Sequence, residues 1–119
     1  MALGCAHGTH RGVLDDAVVM PFDEPQHVRR ILEANAHERA CVMIDPTPRR
    51  VGSDLVRPDF VAMLRDSCDA HGVLLFFDDV VSDRLGRAGA QGVLGARPDL
   101  TALGKIIGGV PRGCGRGPG

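Results

Sequence analysis

A chain of 119 residues with 44% hydrophobic side chains is long enough for one domain with its own core. Its 14 basic and 15 acidic residues nearly cancel and are spread along the chain, so no field of one sign exists to attract nucleic acid or an anionic membrane. No apolar run approaches the roughly 20 residues of a membrane span, and the cytoplasm is the expected compartment. With four Phe and neither Trp nor Tyr, the core has to come mainly from aliphatic side chains. Four Cys without a close pair give no Cys-x-x-Cys metal or redox motif. Cys41 and Cys68 lie within apolar patterns and read as buried free thiols.

Residues 1–16 show neither helical nor strand period and read as an irregular leading segment. His7 and His10 have no third ligand nearby and read as surface residues, so no metal site is expected. The run AVVM, 17–20, reads as a short strand ended by Pro21. Asp23 then caps a helix, with Gln26 three positions on and Pro25 in the first turn; Val28, Ile31 and Leu32 share its inner face as far as His37. Residues 40–44, ACVMI, form a strand stopped by Asp45-Pro46.

A second helix spans 58–70, where Phe60, Leu64 and Cys68 recur every four residues, and Gly72 closes it. The uninterrupted VLLFF of 73–77 predicts a central strand of a parallel sheet covered on both faces. A short helix over 88–94, a turn at 97–99 and an extended piece over 100–103 lead to Gly104-Lys105. Strand, helix, strand, helix, strand is the order of an α/β fold with a mostly parallel sheet and flanking helices. Seven of the sixteen residues from Gly104 to Gly119 are Gly, too few side chains for a packed element. Residues 110–119 therefore read as a cut or frayed tail.

Two carboxylates, Asp78 and Asp79, follow the apolar run, at the strand end where open α/β sheets bind ligands. Alternation sends them to opposite sides, so they need not share a task. They read either as strand-end residues that cap the next turn, or as carboxylates of which one stays charged by facing a cationic or protonated nitrogen. Lys105, between Gly104 and Ile106, is a candidate for an amine that attacks a carbonyl to form a Schiff base. An acidic strand end also suits the magnesium strand of a P-loop nucleotide hydrolase. That alternative lacks an upstream Gly-rich Gly-Lys-Ser/Thr loop, since Gly104-Lys105 lies downstream and is followed by Ile106.

The run AHGVLLFFDDVVSDRLGRAGAQGVLGARPDLTALGKIIGG, 70–109, together with the upstream PFDEP and DPTPRRVGSDLVRPDF, resembles the class III pyridoxal-phosphate aminotransferases, nearest to their glutamate-1-semialdehyde aminomutase branch. The resemblance implies that residues 17–109 are part of the large cofactor-binding domain of a fold-type I enzyme, with pyridoxal 5'-phosphate as cofactor. It implies Asp78 as partner of the pyridine nitrogen, Val80 against one ring face and Lys105 as the catalytic Schiff-base lysine. Asp79 and Asp45 stand where the family usually has Glu, and Asp83 stands where the near branch tends to be aromatic. Arg84 matches, and these three positions, Asp79, Asp45 and Arg84, are carried over as supporting residues.

For the intact parent the resemblance implies amino-group transfer on an amino-acid or amino-aldehyde substrate, in a homodimer. The family's N-terminal region, phosphate cup and C-terminal domain have no counterpart in the sequence. A fragment with little turnover of its own is therefore expected, and a degenerate domain kept for its packing surface is the noncatalytic alternative.

Overall fold

The computed structural model describes residues 10–48, 52 and 54–105. A one-turn helix α1 (Arg11–Asp15) is followed by α2 (Pro25–Asn35), strand β1 (Cys41–Ile44), α3 (Pro58–His71), β2 (Leu74–Asp78), α4 (Gly89–Leu94) and β3 (Leu100–Ala102). Two 3₁₀ turns, Ala36–Glu38 and Ser82–Leu85, extend α2 and follow β2. The three strands form one sheet in the order β1-β2-β3, and both pairings are parallel. The expected parallel sheet with helices is thus the fold, and β2 is its middle strand.

Register follows from which residues can be buried. In β2, Leu75 and Phe77 are fully buried and join Val42 and Ile44 of β1, Val28 and Leu32 of α2, Phe60 and Leu64 of α3, and Ala90 and Leu94 of α4 in one core. Burying a side chain the size of Leu75 or Phe77 contributes roughly 1.5–3 kcal/mol, and a slip of one residue would turn both out of the core. Phe77 therefore pairs with Ile44 on one side and Thr101 on the other.

Helices cover only one face of this sheet among the described residues. The other row of the pleat holds Cys41, Leu74, Leu100 and Met43, all exposed, with Met43 at 63%. The unbroken apolar run of β2 thus matches its central place, while its two faces differ in cover. Cys41 is consequently exposed rather than buried, because the period of two places it with Met43 on the uncovered side. Cys68, on the inner face of α3, is buried, and burial pushes its thiol up to about 11.

Three local expectations change. Residues 17–20 form no strand; Val18 and Val19 are exposed, and the segment lies along an open cleft beside Ile31 and Met43. Four apolar residues before a proline do not make a strand without a neighbour to pair with. Residues 11–15, without any period, form α1. Asp23 does not cap α2: Glu24 holds that position without a side-chain bond, and Asp23, at φ 57°, takes the Arg57 Nε at 2.9 Å. An ion pair between the approaches to α2 and α3 wins over the local cap. Gly72 ends α3 in the left-handed conformation at φ 66°, as expected.

The amino end of the β2–β3 pair is held by Asp99. Its backbone N–H donates to the Leu75 carbonyl at 2.8 Å, and its Oδ2 accepts the Leu75 N–H at 2.7 Å. The same oxygen accepts from Arg65 Nη1 of α3 at 2.8 Å, while Arg65 Nη2 reaches Asp69 at 2.6 Å. The Arg65 guanidinium, helped by the Leu75 N–H, holds the Asp99 carboxyl below its usual range. A depressed folded-state value means that the stabilisation is complete above the unfolded carboxyl value near ~3.9 and is lost as pH falls through the folded value. Urea midpoints should show Asp99→Asn less stable than wild type at neutral pH. The gap should narrow as pH falls below about 4; a gap independent of pH would contradict this role.

Candidate functional site

The carboxyl ends of the three parallel strands lie along one edge of the sheet, and each carries a residue singled out in the sequence. Asp45 follows β1, Asp78 ends β2, and Lys105 comes three residues after β3. The Asp78–Ala102 pair is the last rung between β2 and β3. Past it, the Asp79 N–H still donates to the Ala102 carbonyl at 3.1 Å, so the two chains remain together as they leave the sheet.

Asp78 falls in the row of Leu74 and Phe76 and is half-buried. Its Oδ1 accepts the Val80 N–H at 3.2 Å, which turns the chain sharply after the strand. Among the described residues Oδ2 accepts no hydrogen bond, leaving one edge of the carboxylate for a donor from outside. Val80, half-buried, faces Gly104: a Cβ on Gly104 would stand 3.3 Å from Val80 Cγ1. Glycine thus lets the segment after β3 pass close against Val80. Lys105 follows at once, exposed, with φ 52°. That left-handed conformation costs about 1–2 kcal/mol in a residue with a Cβ, and local context has to hold it. Asp78, Val80 and the Gly104-Lys105 step are therefore brought together by β2 and β3.

Asp79 lies apart from them. It continues the row of Leu75 and Phe77 and is 1% exposed. Its Oδ1 accepts from the Ser82 hydroxyl, and its two oxygens accept the Ala90 N–H at 3.3 and 3.2 Å. Its carbonyl accepts the Asp83 N–H at 2.9 Å. Asp45 is half-buried, and its Oδ1 accepts the Thr47 N–H at 2.8 Å in a tight turn after β1. Arg84 is exposed on the 3₁₀ turn Ser82–Leu85. Sequence reasoning passed over Ser82 and Gly89; the Asp-x-x-Ser spacing of a side-chain-bonded turn was the available signal.

Residues 13–114 match the family model described as aminotransferase class-III. The chain belongs to the class-III aminotransferase family. A glutamate-1-semialdehyde 2,1-aminomutase of Cytophaga hutchinsonii is 40% identical over 103 residues, which cover 86% of this chain and 24% of that protein. Among solved structures, an omega-transaminase from Sphaerobacter thermophilus superposes with a TM-score of 0.83 at 46% identity, over 88% of this chain and 24% of that one. A transaminase described with PLP bound gives a TM-score of 0.80 at 40% identity, over 86% and 24% of the two chains. The chain spans about a quarter of the length of the class-III relatives it matches. Its parallel sheet with flanking helices has the architecture of the cofactor-binding domain of fold-type I pyridoxal-phosphate enzymes.

The packing of Asp79 on Gly89 sets a sharp requirement. Gly89 has φ 61°, and a Cβ there would lie within 2.0 Å of Asp79 Oδ2. Gly95 has nearly the same conformation, φ 63°, with nothing within 4 Å of a Cβ. Gly95→Ala should cost about 1–2 kcal/mol, the backbone term alone. Gly89→Ala should cost more than about 2 kcal/mol, because it also displaces a buried carboxylate. Urea denaturation of both variants separates the two terms, and equal losses would contradict the contact.

Proposed function

We propose that this chain is the lysine-bearing part of a pyridoxal-phosphate enzyme that moves amino groups. The observation that carries the reading is the convergence of Asp78, Val80 and Gly104-Lys105 at the carboxyl ends of β2 and β3. These residues fit the cofactor. The carboxylate has an edge with no donor from the described residues, and Gly104 brings the Lys105 backbone close against Val80, where a Cβ would stand 3.3 Å from Cγ1.

Lys105 would hold the cofactor covalently through Nζ, Asp78 would face its ring nitrogen, and Val80 would lie against one ring face. When bound, pyridoxal phosphate supplies an electron sink for the bonds of an amine-bearing carbon. Asp78, kept charged, would hold a proton on the ring nitrogen facing it. Lys105 Nζ would also be the group to take a proton from the substrate carbon and return it. Asp45 and Arg84 would support the surrounding turns.

The substrate class is an amino acid or amino aldehyde. Similarity to both an omega-transaminase and curated aminomutases supports transfer either between two molecules or within one. The whole protein would distinguish them by whether a separate amino donor is required. Family membership removes the nucleotide-hydrolase alternative.

The test uses the full 119-residue chain incubated with pyridoxal phosphate, reduced with borohydride and mapped by peptide mass. Wild type should carry the adduct on Lys105 and show a visible absorbance band. Lys105→Ala should lose both; equal labelling of the two proteins would overturn the reading.

A further inference from the structure

Asp79 is buried and bonds to the end of β3, to the turn after β2 and to the start of α4. Its N–H meets Ala102 of β3, three residues before Lys105. Its carbonyl takes the Asp83 N–H, and its carboxylate takes the Ser82 hydroxyl and the Ala90 N–H of α4. Both oxygens are occupied by neutral donors, so the side chain offers no edge to a ligand. Its chain neighbours are Asp78 and Val80, the two residues on the exposed side of the turn. Rotation of Asp79 would have to turn both peptides that flank it, and with them the Asp78 carboxylate and the Val80 side chain.

The contact with Gly89 makes this arrangement exclusive. A Cβ on Gly89 would lie 2.0 Å from Oδ2, so no side chain fits there without displacing Asp79 or α4. We infer that Asp79 is a positioning residue: through Ser82, Gly89 and Ala90 it sets the angle at which Asp78 and Val80 face Lys105. Resting on the proposed function, this adds a second carboxylate to the site with a task different from the first. Asp78 would meet the ring, and Asp79, which touches neither cofactor nor substrate, would hold Asp78 in place.

Asn at this position keeps the shape and replaces one acceptor oxygen with a donor that opposes the Ala90 N–H, which lies within 3.3 Å of both oxygens, while the Ser82 hydroxyl can turn to accept. In the full chain, Asp79→Asn should retain the far-ultraviolet helix signal. It should bind pyridoxal phosphate about tenfold more weakly, the effect of one charge-assisted hydrogen bond, and shift the pH midpoint of the visible band. Ser82→Ala should move both readouts the same way by less.

Wild-type affinity with an unchanged midpoint in Asp79→Asn would overturn the inference. If wild type takes no cofactor on Lys105, the proposed function fails, and amide exchange then decides the positioning role. Faster exchange at Val80 and Ala90 with Leu64 unchanged supports it, and unchanged exchange at Val80 overturns it. Should Asp79→Asn fail to fold, Ser82→Ala decides by the same two measurements.

Discussion

The parallel register of β2 between β1 and β3 is the constraint on which the rest depends. Leu75 and Phe77 face the core in the observed register, which sets Phe77 beside Ile44 and Thr101, and a slip of one residue would turn both away. Once it is set, the strands end together, and Asp45, Asp78 and the approach to Lys105 come to one edge without further instruction. Asp99 and Arg65 hold the opposite end of the same pair. The carboxyl edge of this pair is thus positioned partly by an ion pair at its amino edge.

The period of two also separates Asp78 from Asp79. One follows the row of Leu74 and Phe76 and keeps an oxygen edge with no donor among the described residues; the other follows Leu75 and Phe77 into the interior, where hydrogen bonds from Ser82 and Ala90 make burial of its oxygens tolerable. Adjacent residues of identical chemistry therefore occupy opposite electrostatic situations. Backbone alternation sorts them before any feature of the site acts.

Much of the fold was legible because it rests on local signals. The apolar spacing of Val28 and Leu32, and of Phe60, Leu64 and Cys68, marked α2 and α3. Gly72 marked a helix end, and the run at 73–77 marked the central strand. What misled was local chemistry that a distant residue overrode. Asp23 looks like a cap until Arg57, 34 positions on, claims its carboxylate. The apolar residues 17–20 look like a strand until no partner strand is found beside them. Cys41 looks buried until the face on which it stands proves to be uncovered.

The sequence by itself determined the class of architecture, which lies in short-range helical and strand period, and the likeness of residues 70–109 to the class III aminotransferases pointed to the residues proposed to bear the chemistry. Tertiary structure alone decided that Asp79 is interior, that Gly89 must lack a side chain to admit it, that Gly104 passes against Val80, and that Arg65 grips Asp99. Each of these is a contact between segments at least ten residues apart. Such contacts carry no signature in a single sequence, because any polar or small residue is locally acceptable where they occur, and only the register of the sheet makes one of them necessary.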